Sequence, residues 1–113
     1  MRIDVNQREG VTVVAIEGSV DGLTAGDLLT SLRSEIASGN TRLVVDLGGV
    51  TYTSSAGLRA LLETVKETRQ RKGDLRLAAV RAEVLRVLEL SGFTGILKVF
   101  PDSDAAVASF AAP

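Results

Sequence analysis

Apolar and polar positions recur at two different periods along this chain, and the places where one period gives way to the other mark out its elements. Ile3 and Val5 alternate with Arg2, Asp4 and Asn6, and a second run, Val11–Glu17, begins after Arg8, Glu9 and Gly10, so the chain opens as a β-hairpin. Gly18 closes it, and residues 19–23 form a loop. Thr24 with Asp27 three residues on matches a capping box, and Ala25, Leu28, Leu29, Leu32 and Ile36 then give a helical stripe that stops before Gly39 and Asn40. Leu43, Val44 and Val45, followed by Asp46 and Leu47, make the short apolar run that a strand covered on both faces requires. Gly48 and Gly49 end it.

From about residue 55 to 71, Leu58, Leu61, Leu62 and Val65 fall at i, i+3, i+4 and i+7, one face of a helix, leaving Arg59, Glu63, Lys66 and Glu67 for solvent. Arg69, Arg71 and Lys72 suit the negative end of its dipole, and Gly73 is expected to terminate it. A strand follows at 75–80, then a helix at 82–90 with Val84, Leu85, Val87 and Leu88 inward, a last strand at 97–100 and a helix at 103–110. Tyr52 and Phe93 read as core aromatics. The order predicts an α/β fold: one domain over 1–113, with a mixed, mainly parallel sheet of about five strands, an N-terminal antiparallel hairpin at its edge, about four helices and a short tail at 111–113.

With 113 residues, 45% of them apolar, the chain has material for one core and no room for a second domain. A net charge of −1 and no dense basic run away from a helix end leave no footprint for a phosphate backbone, so nucleic acid is not an expected partner. Neither cysteine nor histidine occurs. That removes disulfides, thiol nucleophiles, the commonest general base and the usual metal ligand, and neither a metal nor a cofactor is expected. No stretch reaches the roughly 18 apolar residues of a membrane helix, and the N-terminus lacks the apolar core of a signal peptide. A cytoplasmic protein without a membrane partner is the expectation.

The chemistry that remains gathers around Ser54 and Ser55, two hydroxyls placed where a buried strand hands over to an amphipathic helix. The first N–H groups of a helix have no intrahelical partner and its dipole is positive there, so a hydroxyl can cap or a phosphate can be accommodated. Asp21 follows the preceding strand, and if the two strands are neighbours it projects from the same sheet edge. A hydrolase does not fit, because the serines lack a full G-x-S-x-G elbow and no imidazole can activate them. Nor does a Walker A loop, since no lysine lies between Gly48 and Lys66. A small phosphate-binding enzyme using Asp21 and Asp46 is the remaining catalytic alternative.

Two segments bring a family into view. Gly18-Ser19-Val20-Asp21-Gly22-Leu23-Thr24-Ala25 resembles the pattern Gly-x-Leu-Asp-x-x-Thr-Ala, and the stretch from Val45 to Leu58 resembles a second signature of the same family, the STAS domain of bacterial anti-sigma factor antagonists. The resemblance implies a protein that is no enzyme. Its dephosphorylated form would bind an anti-sigma factor that is also a serine kinase and so release a sigma factor; phosphorylation would end the interaction, and a phosphoserine phosphatase would restore it. Carried onto this sequence, the resemblance makes Ser55 the phosphoacceptor, with Ser54 a minor alternative, and puts Asp21, Thr24, Ser54, Ser55, Gly57 and Arg59 on the partner surface. Many relatives carry Asp immediately before the acceptor, where this chain has Ser54. A monomer or weak dimer is expected, and the alternative function is a STAS scaffold in a stress-sensing or transport complex without a phospho-switch.

Overall fold

The computed structural model describes residues 1–111; the end of the expected tail, Ala112 and Pro113, lies outside them. Strands β1 (Arg2–Arg8), β2 (Val11–Glu17), β3 (Arg42–Gly49), β4 (Asp74–Ala78) and β5 (Val99–Phe100) form one sheet in the order of the sequence. β1 pairs antiparallel with β2, and every later pairing is parallel. Helices α1 (Ala25–Ala37), α2 (Ser55–Gln70) and α3 (Ala82–Leu90) connect the parallel strands, and α4 (Ser103–Ser109) closes the described chain.

A sequential strand order with crossovers of one hand places all the connecting helices on the same face. The parallel register makes that visible as rows of side chains. Val14, Val45 and Leu77 form one row and Thr12, Leu43 and Leu75 the next, both on the face covered by Leu28, Leu32, Leu58, Leu61, Val84 and Leu88 of the three helices. The other face carries Val13, Val44 and Ala78 and is covered by α4 through Ala106 and Val107. β3 is buried on both sides, which is why its sequence shows no alternation.

Four local details depart from the periodic reading. The chain leaves β4 at Ala79, whose φ of +55° turns it out of the sheet, so that strand ends at Ala78. β5 keeps only two paired residues because a 3₁₀ turn at Phe93–Gly95 takes up the preceding chain, while Leu97 still buries its side chain. Val87 is exposed rather than inward, since the contact face of α3 is made by Val84 and Leu88 with half-buried Leu85 beside them. Tyr52, expected in the core, is 55% exposed, because it sits in the loop after β3 rather than in a periodic segment.

The end of α2 revises the role of its glycine. Lys72, at φ +64°, is the left-handed residue; its N–H reaches Arg69 O at 3.1 Å and the Gly73 N–H reaches Thr68 O at 2.8 Å, the two bonds of a Schellman motif. Gly73 is required for a different reason: a Cβ there would lie 2.0 Å from the carbonyl oxygen of Thr41. Next to it, buried Asp74 accepts from Arg69 Nε at 2.9 Å and Arg76 Nε at 3.0 Å, tying α2 to β4. Gly73→Ala is therefore expected to lose about 2 kcal/mol or more of stability, whereas Lys72→Gly, which relieves a left-handed side chain, should gain about 0.5–1 kcal/mol. Urea midpoints of the two variants, moving in opposite directions from the parent, check this.

Candidate functional site

The corner at the carboxyl ends of β2 and β3 is built by extending their parallel pairing beyond the sheet. Past a register shift after Ala15, the Gly18 N–H donates to Gly49 O at 2.9 Å, Val20 N–H to Tyr52 O at 3.0 Å, and Ser54 N–H to Val20 O at 2.7 Å, with Val20 and Thr53 forming an isolated parallel bridge. The loop that carries Asp21 and the loop that carries Ser54 and Ser55 are thereby laced together. Beneath them Val20, Val50 and Leu58 are buried, so the corner rests on the main core.

The two serines divide the local chemistry. Ser54 is the N-cap of α2: its backbone is extended (φ −89°, ψ 172°) and its Oγ accepts from the Gly57 N–H at 3.3 Å, while its carbonyl accepts from Leu58 N–H at 3.1 Å. Ser55 is the first helical residue and is exposed. Among the described residues none is hydrogen-bonded to its hydroxyl. The Ser54 cap and carbonyl take up the Gly57 and Leu58 N–H groups, so those of Ser55 and Ala56 face outward at the positive end of the dipole. Arg59, one turn on, is exposed too. Glu63, its neighbour on the helix, instead lies 3.6 Å from Arg33 of α1.

Gly57 is buried, and what it supplies is close approach rather than a contact surface. A Cβ there would stand 2.5 Å from Thr53 Oγ1 and 2.7 Å from Val20 Cγ1, so its absence lets the first turn of α2 press onto the bridged segment beyond β2.

Asp21 and Thr24 form a capping box, displaced three residues from the Thr24–Asp27 pair that the sequence suggests. Thr24 makes no side-chain cap for α1. Instead, Asp21 Oδ1 accepts from Leu23 N–H at 2.9 Å and Thr24 N–H at 3.0 Å, and Thr24 Oγ1 accepts in return from Asp21 N–H at 2.9 Å. The Thr24 hydroxyl also faces Ser19 O at 3.0 Å. These donors, Leu23 N–H first and Thr24 N–H next, hold the Asp21 carboxyl below its ordinary value. The box leaves Leu23 91% exposed, and Tyr52 in the loop after β3 is half-exposed. Neither residue stands in a periodic segment, so only their apolar character inside polar loops marks them.

Asp46 does not join Asp21. By alternation it points to the α4 face, where it accepts from Gly48 N–H at 2.8 Å and Ser103 Oγ at 2.5 Å, whereas Asp21 leads into α1 on the opposite face. The strand order never reverses, so the sheet also lacks the crevice at which α/β enzymes hold nucleotides. The two carboxylates therefore do not line a common pocket.

The pattern of the STAS domain matches residues 2–106. This chain belongs to the STAS domain family. Among its relatives, BtrV of Bordetella bronchiseptica, a candidate anti-sigma factor antagonist, is 36% identical over 110 residues, which cover 97% of the STAS chain described here and 95% of BtrV. The crystal structure of an anti-sigma factor antagonist from Mycobacterium paratuberculosis superposes with a TM-score of 0.87 at 27% identity, over 96% of this chain and 92% of that one. SpoIIAA of Bacillus in its phosphorylated form shares the fold, with a TM-score of 0.75 at 15% identity over 96% and 99% of the two chains. Among the described residues of this STAS domain, no helix is long and apolar enough to cross a membrane.

The division of labour between the serines gives a stability test. Ser54→Ala should lose about 1 kcal/mol through the missing cap, and Ser55→Ala should change stability by less than about 0.5 kcal/mol, as thermal or urea unfolding will report. Asp21 gives a pH test. Its folded-state pKa is lowered, so the capping box is complete above the ordinary value of 3.8 and is lost only as pH falls through the lowered value. Amide shifts of Leu23 and Thr24 followed through acid titration should move with a midpoint below 3.8.

Proposed function

We propose that this STAS domain is an anti-sigma factor antagonist whose binding is switched by phosphorylation of Ser55. In the dephosphorylated form it engages an anti-sigma factor of the serine-kinase type and so frees a sigma factor; the kinase transfers the γ-phosphoryl group of ATP to the Ser55 hydroxyl, ending the interaction, and a phosphoserine phosphatase resets it. The observation that carries this reading is the exposed, uncommitted hydroxyl of Ser55 at the first position of α2, next to a Ser54 hydroxyl already engaged as the cap. Relatives named as anti-sigma factor antagonists, and SpoIIAA with its phosphorylated form, support it.

The protein acts here as a surface and not as a catalyst. Leu23 and Tyr52, in the two loops of the corner, offer exposed apolar anchors, and an exposed aromatic ring is a frequent centre of binding energy. Asp21 and Thr24 hold Leu23 in position, and Arg59 supplies a positive charge one turn from the acceptor. Phosphate on Ser55 adds roughly −1.5 to −2 charges, which the helix start tolerates and a partner packed over it does not. A penalty of about 3 kcal/mol weakens such a complex on the order of a hundredfold.

With a kinase-type anti-sigma factor as the partner, Ser55→Ala should bind like the parent and resist phosphorylation, and Ser55→Glu should fold normally yet bind at least about tenfold more weakly. Calorimetry gives the constants, and fragmentation mass spectrometry after incubation with ATP locates the phosphate. Equal affinities for the two variants, or phosphate retained in Ser55→Ala and lost in Ser54→Ala, would count against the assignment.

A further inference from the structure

Among the described residues strand β1 has a neighbour on one side only, and the sequence of its free edge is complementary to itself. β1 pairs with β2 through Arg2↔Glu17 to Arg8↔Val11 and forms one border of the sheet. The cross-strand partners Ile16 and Val14 put Ile3 and Val5 on the three-helix face, and Arg2 and Asp4 lie on the α4 face. Met1 is 40% exposed and Val5 45%, so the helical layer stops short of this border and leaves apolar side chains uncovered along it. Arg2 and Asp4 are 3.0 Å apart and well exposed.

We propose that the free edge of β1 is a docking surface for the β1 of a second copy of this chain, in antiparallel register about a twofold axis at Ile3. In that register Ile3 meets Ile3, Met1 meets Val5, and each Arg2 meets the Asp4 of the other copy, so apolar contacts fall on one face and two ion pairs on the other. Moving the register by two residues sets Asp4 against Asp4. Moving it by four sets Arg2 against Arg8. A further step faces Asp4 with Arg8 but opposes Val5 to Gln7 and draws Arg8 from its ion pair with Asp104. Edge strands usually prevent self-pairing with charges of one sign or with proline. This one alternates opposite signs at positions two apart, an arrangement that attracts its own antiparallel image.

The product is a continuous ten-stranded sheet in which the central strands of the two copies run in opposite directions. The two Ser55 corners then project from opposite ends, and each stays accessible. Only about five residues of each copy pair, so the association belongs to the weak class, with a Kd on the order of 100 µM.

Sedimentation equilibrium of the full chain across roughly 10 µM to 1 mM tests this, together with Arg2→Asp, Asp4→Arg and an equimolar mixture of the two variants. The parent should associate with rising concentration, and each single reversal should weaken association at least about tenfold, because it opposes like charges twice. The mixture should regain association, since one copy then carries two positive and the other two negative charges in facing positions. A parent that stays monomeric over the whole range overturns the proposal. So does association unaffected by the single reversals, or a mixture no stronger than its parts.

Discussion

The parallel hydrogen bonding between β2 and β3 is the constraint on which the candidate site depends, because it continues after the strands as such have ended. Each strand ends at a loop that would otherwise be free to leave the sheet. The bonds at Gly18–Gly49, Val20–Tyr52 and Ser54–Val20 carry the pairing three steps further, and they bring the start of α2 to the loop ahead of α1. An unpaired buried backbone N–H or C=O costs roughly as much as a lost hydrogen bond, so three such bonds at the margin of the core hold the corner firmly. Leu23, Tyr52 and Ser55, exposed at this corner, are displayed by backbone tied in this way.

The same economy explains how polar groups are used elsewhere. Asp46 and Asp21 could be read as chemical candidates, yet both of these carboxylates, like that of Asp74, accept from backbone N–H groups and neighbouring side chains that fix a connection between elements. Asp46 ties β3 to α4, Asp74 ties β4 to α2, and Asp21 shapes the turn before α1. No buried side-chain polar atom among the described residues is left without a partner. What remains uncommitted is on the surface, and Ser55 is the hydroxyl among it that a helix start makes receptive to negative charge.

Much of this was legible in the sequence. The run at Leu43 to Leu47 announces a strand buried on both faces, the stripe at Leu58, Leu61 and Val65 announces α2, and strands alternating with helices imply the parallel sheet and hence the shared edge of Asp21 and Ser55. The misreadings have a common physical origin in contacts between segments distant along the chain. Gly73 looks like a helix terminator, but its constraint comes from the Thr41 carbonyl, and Lys72 takes the left-handed turn instead. A capping box can be written from Thr24 or from Asp21, and only the laced corner selects the second. The exposure of Tyr52 and the brevity of β5 have no periodic signature at all, because they depend on where the neighbouring loops lie.

Gly57 has a kinetic consequence. By letting α2 sit against Val20 and Thr53 with no space for even one additional carbon, it deprives the start of the helix of any room to retreat or to rotate. On the proposed function, a corner packed this closely meets a partner with little rearrangement. In the proposed complex, changes at the exposed hydroxyl then register chiefly in its lifetime and little in its rate of formation.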